Sequence, residues 1–232
     1  MRKSRILVVD DDIGVLKSVR ANLQARDYEA LTAMDGLEAL EVIEREMPDL
    51  VILDISMPRL NGFEVCRRVR EWSQVPIIML SARQDVEEKV RCLNSGADDY
   101  VTKPFGVNEL AARVQAVLRR ARDRGDDTQT TPSFTCDDLH INFVERRVHV
   151  RGREIKLTPT EYNLLQELVL GANRVMSHAT LLGRVWGPEY ADEREYLHVF
   201  IGRLRKEIEP DPAQPRYIVT IPGVGYKFQT HA

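Results

Sequence analysis

Several things are scarce in this 232-residue sequence, and each shortage excludes a class of protein. Only three cysteines occur, Cys66, Cys92 and Cys136, with no CxxC and no Cys/His grouping. Neither a disulfide framework nor a zinc site is expected from them, and they read as reduced, incidental thiols. Long apolar runs are missing too. The best of them, Ile6 to Val9 and Leu50 to Leu53, fall far short of the ~20 residues that span a bilayer. The basic start, Met1-Arg2-Lys3-Ser4-Arg5, meets three aspartates before any signal-peptide core can form, so a cytoplasmic protein without a membrane partner is expected. No charge of one sign dominates: 33 Lys and Arg stand against 36 Asp and Glu, and the halves on either side of Arg122 are each close to neutral. Any DNA binding must therefore rest on a local basic patch rather than on bulk charge. What is present is ordinary soluble material, 43% hydrophobic and 30% charged, enough for packed cores in one large domain or two of common size.

Hydrophobic periodicity favours two domains. Short apolar runs at 5–10, 28–33, 50–54, 76–80 and 99–102 alternate with stretches of helical period near 13–23, 37–43, 62–72, 86–95 and 107–121. Five strand–helix units predict a five-stranded, doubly wound parallel sheet with helices on both faces over residues 1–122. Residues 123–133 contain no large apolar side chain and read as a linker. From 134 to 232 the pattern becomes α+β. Strand-like alternation at 139–144, 147–150 and 155–157 precedes a helix announced by Thr158-Pro159-Thr160-Glu161, a capping-box signature with proline in the first turn. Further helices are expected from Ser177 and over 193–208, and a terminal hairpin over 217–228 turns at Pro222-Gly223.

In an open α/β sheet, chemistry gathers at the carboxyl ends of the strands. Here those ends carry Asp10-Asp11-Asp12, Asp54, Ser81-Ala82 and Lys103-Pro104. Converging carboxylates repel unless a cation joins them, and oxygen ligands with room for water suit Mg²⁺. A metal on Asp11 and Asp54 leaves one Asp54 oxygen free to attack a phosphoryl donor, with Lys103 and Ser81 placed to meet the transferred oxygens. Asp12 alone reads as an N-cap for the helix that starts at Ile13.

Taken together, Val8-Val9-Asp10-Asp11-Asp12, Asp54-Ile55-Ser56-Met57-Pro58, Leu80-Ser81-Ala82-Arg83 and Gly96 to Phe105 resemble the receiver domain of two-component response regulators. That resemblance implies a flavodoxin-like fold, Asp54 as phosphoacceptor, and Mg²⁺ on Asp10, Asp11, Asp54 and the Ser56 carbonyl. It further implies a Ser81/Tyr100 switch pair and a phosphate-sensing Lys103 ahead of a cis Lys103–Pro104 bond. The segment 134–232 resembles the winged-helix effector of the OmpR/PhoB class through Leu157 to Leu165, Leu181 to Gly187, Arg203 to Lys206 and Gly223 to Phe228. Within that class the stretch 195–206 with 211–216 is most similar to potassium-transport (Kdp-type) regulators, while Gly202 and Pro222 stand where relatives often carry basic residues.

On the last helix Leu197, Ile201, Leu204 and Ile208 form one apolar stripe, which leaves Glu195, Val199, Gly202, Arg203 and Lys206, with Tyr196 beside them, for a DNA groove. Arg203 is expected to read a guanine, Val199 a thymine methyl, and Arg205 and Lys206 phosphates, with Lys227 a weak wing contact. The resembled class also implies a symmetric dimer through Lys89, Asp98, Asp99, Glu109 and Arg113, with pairs Lys89–Glu109 and Asp99–Arg113 crossing the axis. The expected protein is thus a phosphorylation-dependent transcriptional regulator rather than an enzyme, with a sensor histidine kinase, promoter DNA and RNA polymerase as partners. Two alternatives remain at this point. One is a haloacid-dehalogenase-like phosphatase with Asp10 as nucleophile and Asp12 as acid/base; the other is a constitutive DNA binder. The histidines at 140, 149, 178, 198 and 231 show no ligand spacing.

Overall fold

Strand β1 (Arg5–Val9) has no polar residue after its first position, and Ile6 to Val9 are fully buried, as a central strand covered on both faces requires. It lies mid-sheet in a computed structural model that describes residues 2–122 and 132–230. It shares the sheet with β2 (Glu29–Ala33), β3 (Leu50–Asp54), β4 (Ile77–Ser81) and β5 (Asp99–Thr102), all parallel, in the order β2-β1-β3-β4-β5, and pairs directly with β2 and β3. The order reverses between β1 and β3, so their carboxyl ends flank the crevice where ligands are expected.

Helices α1 (Ile13–Ala25), α2 (Gly36–Glu46), α3 (Gly62–Arg70), α4 (Val86–Asn94) and α5 (Val107–Arg122) bury one stripe each against the sheet. One core gathers α2, α3 and α4 side chains such as Val42, Val65 and Cys92 over β1 and β3. The other gathers Leu16, Leu23, Leu110 and Val114 of α1 and α5 on the opposite face. Local chemistry begins these helices: Asp12, Asp35, Asn61 and Asp85 each accept backbone N–H groups at an N-cap, and Asn61 with Glu64 completes a capping box.

The chain divides into compact units Met1–Leu118 and Arg119–Ala232. Of the expected linker 123–133, residues 123–131 lie outside the described residues, and Ser133 opens a strand. The second unit begins with an antiparallel sheet in the order β6 (Ser133–Cys136), β7 (Leu139–Asn142), β8 (Arg147–Val150), β9 (Arg153–Ile155). Three helices follow: α6 (Pro159–Leu170), α7 (His178–Val185) and α8 (Arg194–Ile208). A second sheet, β10-β12-β11, is built from β10 (Val175–Ser177), β11 (Ile218–Ile221) and β12 (Gly225–Phe228). The capping box of Thr158 and Glu161 forms, with Pro159 in the first turn. Strands β6 and β10 were not expected. Each is three or four residues long with mixed polarity, so only pairing with β7 and β12 makes it a strand.

Candidate functional site

The crevice at the β1, β3 and β5 ends is built from side chains 93 residues apart in the chain, joined by hydrogen bonds. The Lys103 ammonium lies 2.6 Å from Asp10 Oδ2 and 2.6 Å from Asp54 Oδ1. Asp10, Asp11 and Asp54 each offer one carboxylate oxygen, all within 4.8 Å of one another. The Ser56 N–H donates to Asp54 Oδ2 at 2.8 Å and the Asp12 N–H to Asp10 Oδ1 at 2.9 Å, so backbone dipoles orient both buried carboxylates. At Gly62 a Cβ would overlap the Asp54 carbonyl oxygen, so α3 starts closer to the strand end than any larger residue allows.

Burial pushes the Asp54 carboxyl above its ordinary value, while the hydrogen bond and charge of Lys103 pull it back. Burial alone would lower the Lys103 ammonium, but hydrogen bonds to Asp10 and Asp54 and their charges carry it above the usual lysine value. Three crowded carboxylates answered by one ammonium leave negative charge to spare, and the donor set is all oxygen. That fits a hard divalent cation such as Mg²⁺. Asp12 is spent differently: its Oδ1 accepts from Gly14 N at 2.6 Å and caps α1.

Ser81 is buried at the end of β4, and its Oγ accepts the Arg83 N–H at 3.1 Å. Tyr100 is buried as well, its hydroxyl donating to the Arg83 carbonyl; burial raises its phenol above the ordinary value, a hydrogen bond to Ser81 opposing. The ring of Tyr100, the expected partner of Ser81 in the switch pair, thus faces the β4 end in this structure. Lys103–Pro104 is cis.

The expected dimer residues separate. Asp98 is wholly buried, accepting from Arg70 Nη2 at 2.9 Å and from Ile77 N at 3.1 Å, so it fastens α3 and β4 and presents no surface. Asp99 is buried too and pairs with Arg113 of the same chain at 3.0 Å. Glu109 is exposed beside Arg113, and Lys89 is partly exposed on α4.

Helix α8 buries the expected stripe, Leu197, Ile201, Leu204 and Ile208, but the buried arc is wider than that stripe. Tyr196 is 1% exposed, packed edge-on to Trp186 and Tyr190, and Val199 is buried. Arg203 is held at 2.6 Å by Glu161, its guanidinium over the Phe200 ring. Arg205 donates to the Ile218 carbonyl at 2.6 Å and to Thr220 Oγ1 at 2.8 Å, tying α8 to β11. Tyr196, Val199, Arg203 and Arg205 are thus corrected from DNA-facing to packing or fastening positions. Phe200 beside Val199 was the signal for a second buried row. Lys206 is exposed near Arg151 of the β8–β9 turn and Arg153 of β9, and Lys227 is partly exposed on β12.

What α8 turns outward is Arg194, His198 and, at Gly202, open space. His198 Nδ1 lies 2.7 Å from Tyr226 Oη, and the His178 ring at the start of α7 packs against both. Burial, then Arg194 and His198, lower the His178 imidazole from its ordinary value. Sequence reasoning passed over this pair because its members are 20 residues apart and meet only where α7, α8 and β12 converge.

A family model described as the response regulator receiver domain matches residues 6–115, and one described as transcriptional regulatory protein, C terminal, matches residues 152–228. The transcriptional regulatory protein KdpE of Mycobacterium tuberculosis (strain ATCC 25618 / H37Rv) is 40% identical over 97% of this chain and 98% of its own. The response regulator MprA of Mycobacterium sp. (strain KMS) is 45% identical over 96% of each chain. Relatives of both names therefore match, so the likeness extends beyond Kdp-type regulators. Among solved structures, a cysteine-to-serine mutant of RitR superimposes with a TM-score of 0.81 at 25% identity, covering 98% of this chain and 100% of that one. DrrB, a Thermotoga maritima OmpR/PhoB homologue, does so with a TM-score of 0.53 at 34% identity over the same shares.

Proposed function

The chain belongs to the two-component response regulators that join a receiver domain to an OmpR/PhoB-type DNA-binding domain, and from that membership we propose that Asp54 is the residue its sensor histidine kinase phosphorylates. Transcription control by phosphorylation comes with the family; which side chains carry it is our reading. The observation that carries it is Lys103 Nζ within 2.6 Å of Asp54 Oδ1 and Asp10 Oδ2 in a crevice whose third carboxylate is Asp11.

The Asp54 carboxylate attacks the donor phosphorus, an O–P bond forms as the donor bond breaks, and the leaving group departs with its electron pair. Asp10 and Asp11, with Asp54 and the Ser56 carbonyl, would hold Mg²⁺, which when bound neutralises the transferred oxygens. Lys103 stays beside the acyl phosphate as a fixed counter-charge, and the Ser81 hydroxyl, whose oxygen accepts the Arg83 N–H, keeps its own O–H to donate to a second phosphoryl oxygen. Because Tyr100 already packs inward, the signal is a tightening of the Ser81–Arg83–Tyr100 group rather than a swing of the ring.

For the output unit we propose that Arg194, His198 and Lys206 of α8, with Lys227 of β12, face DNA, while Arg203 and Arg205 hold the helix in place. Phosphorylation favours a dimer through the α4–β5–α5 face, where Lys89 and Glu109 supply exposed charge. A cytoplasmic location is consistent with the absence, among the described residues, of any helix long and apolar enough to cross a membrane. RNA polymerase remains the partner through which promoter binding is read out. The phosphatase alternative loses its acid/base, since Asp12 caps α1.

Mass spectrometry after incubation with acetyl phosphate and Mg²⁺ tests the assignment: one phosphoryl group is expected on the parent and none on Asp54→Asn. Equal labelling of that variant refutes it.

A further inference from the structure

Strand register in the output unit assembles a row of side chains that linear spacing conceals. Thr135 of β6 stands opposite His140 of β7, His140 opposite His149 of β8, and His149 opposite Glu154 of β9. Directly opposed residues on neighbouring strands point to the same face. That face is the outer one, for the alternate positions Leu139, Ile141, Val148 and Val150 are buried beneath it. Two imidazoles and a carboxylate therefore lie side by side on three hydrogen-bonded strands.

We propose that His140, His149 and Glu154 form a binding site for a divalent transition-metal ion of the zinc or nickel type, separate from the receiver's carboxylate crevice. Three observations support it. Facing Cβ atoms on adjacent strands sit ~4.5–5.5 Å apart, so a cross-strand histidine pair reaches one ion from a backbone that is already ordered. The two ring centroids are 6.5 Å apart, and two rings on one tetrahedral ion with ~2.0–2.1 Å metal–nitrogen bonds stand roughly 5–6 Å apart, so the rings must turn toward each other to share one ion. Thr135 Oγ1 lies 2.7 Å from His140 Nδ1, and that contact leaves the His140 Nε2 facing away from Thr135, in the arrangement that commonly orients metal-binding imidazoles.

The other ring is not held by a competing bond at Nδ1, which is buried without a partner. Glu154 makes only a loose 3.7 Å pair with Arg147, between side chains more than half exposed, and can leave it at little cost. Imidazole nitrogen selects zinc-like ions over Mg²⁺, which prefers oxygen, so the two sites of the chain divide the available metals by chemistry. An ion here would cross-link β7, β8 and β9 and raise the stability of the sheet by mass action.

Calorimetric titration of the full-length protein with Zn²⁺, in millimolar Mg²⁺ to occupy the receiver carboxylates, tests the proposal. The parent should take up one Zn²⁺ per chain with a rise in the melting temperature of the output unit. His140→Gln and His149→Gln should each weaken binding at least about tenfold, and Glu154→Gln should weaken it less. His178→Gln should bind as the parent does. All four positions are partly or fully exposed, so these variants are expected to fold, and far-ultraviolet circular dichroism checks that they do. Unchanged Zn²⁺ uptake in the His140→Gln/His149→Gln double variant overturns the proposal, as does the absence of saturable uptake by the parent.

Discussion

Replacing Arg203 by alanine separates the two roles this arginine can have, because one predicts lost sequence preference and the other lost stability. The Arg203 side chain is 13% exposed and that of Glu161 8%, with Nε to Oε1 at 2.6 Å. Removing one partner of such a pair leaves a buried, uncompensated charge, which typically costs ~3–5 kcal/mol. Here the carboxylate keeps one bond, since Thr158 N donates to Glu161 Oε2 at 2.7 Å, so a smaller loss of ~2–4 kcal/mol is expected. At a urea slope of ~2 kcal/mol/M, the unfolding midpoint of the output unit should fall by about 1–2 M. Fluorescence reads this directly. Of the two tryptophans, Trp186 is buried in the output unit, and Trp72, 46% exposed in the receiver, can be replaced by phenylalanine to leave a single reporter. Arg203→Met combined with Glu161→Gln should recover about 1 kcal/mol or more of the loss, because the second change removes the stranded charge and keeps the capping acceptor. An Arg203→Ala protein with an unchanged midpoint and a flattened base preference on operator DNA would refute this reasoning and return Arg203 to the groove.

The remaining expectations concern the DNA face, the receiver core and assembly. Burial, then the charges of Arg194 and His198, hold the His178 imidazole below its ordinary value, so the free protein disfavours its charged form. With DNA seated on the neighbouring Arg194 and His198, as proposed, phosphate favours its charged form, so binding takes up a proton and should tighten as pH falls through the bound-state value, then level off beneath the free one. Operator titrations between about pH 7.5 and 5.5 at constant ionic strength check this, and a pH-independent affinity, or a slope retained in His178→Gln, counts against it. Arg70 donates to the carbonyls of Gly96 at 2.9 Å and Val75 at 2.7 Å as well as to buried Asp98, so Arg70→Ala should destabilise the receiver by ~3–5 kcal/mol; a loss under ~1 kcal/mol in urea would show the network to be dispensable. Light scattering of the phosphorylated chain at tens of micromolar should report a dimer that high salt weakens, and a persistent monomer would remove the α4–β5–α5 face from the proposal.

What the sequence determined alone is the part written in short-range pattern. Fully apolar strands such as Leu50 to Leu53 have one way to be satisfied, burial on both faces, and that dictates a parallel sheet and places Asp54 at its active edge. The Thr158–Glu161 and Asp12 caps were equally legible, since each bond spans three residues or fewer. Tertiary structure decided everything that depends on which way a side chain is recruited. Arg203 and Arg205 look like groove-facing cations on a helical wheel, and only Glu161 on α6 and Ile218 on β11 reveal where their charge and donors go. Asp98 and Asp99 are acidic neighbours at the start of β5, yet Arg70 and Arg113, 28 and 14 residues away, make both of them interior. The histidines carried no spacing signal because their meaning is lateral: strand register pairs His140 with His149, and the convergence of α7, α8 and β12 pairs His178 with His198, while His231 lies outside the described residues. Periodicity encodes which face is apolar, but a charged side chain's role is set by the partner that packing brings to it, and that partner is remote in the chain.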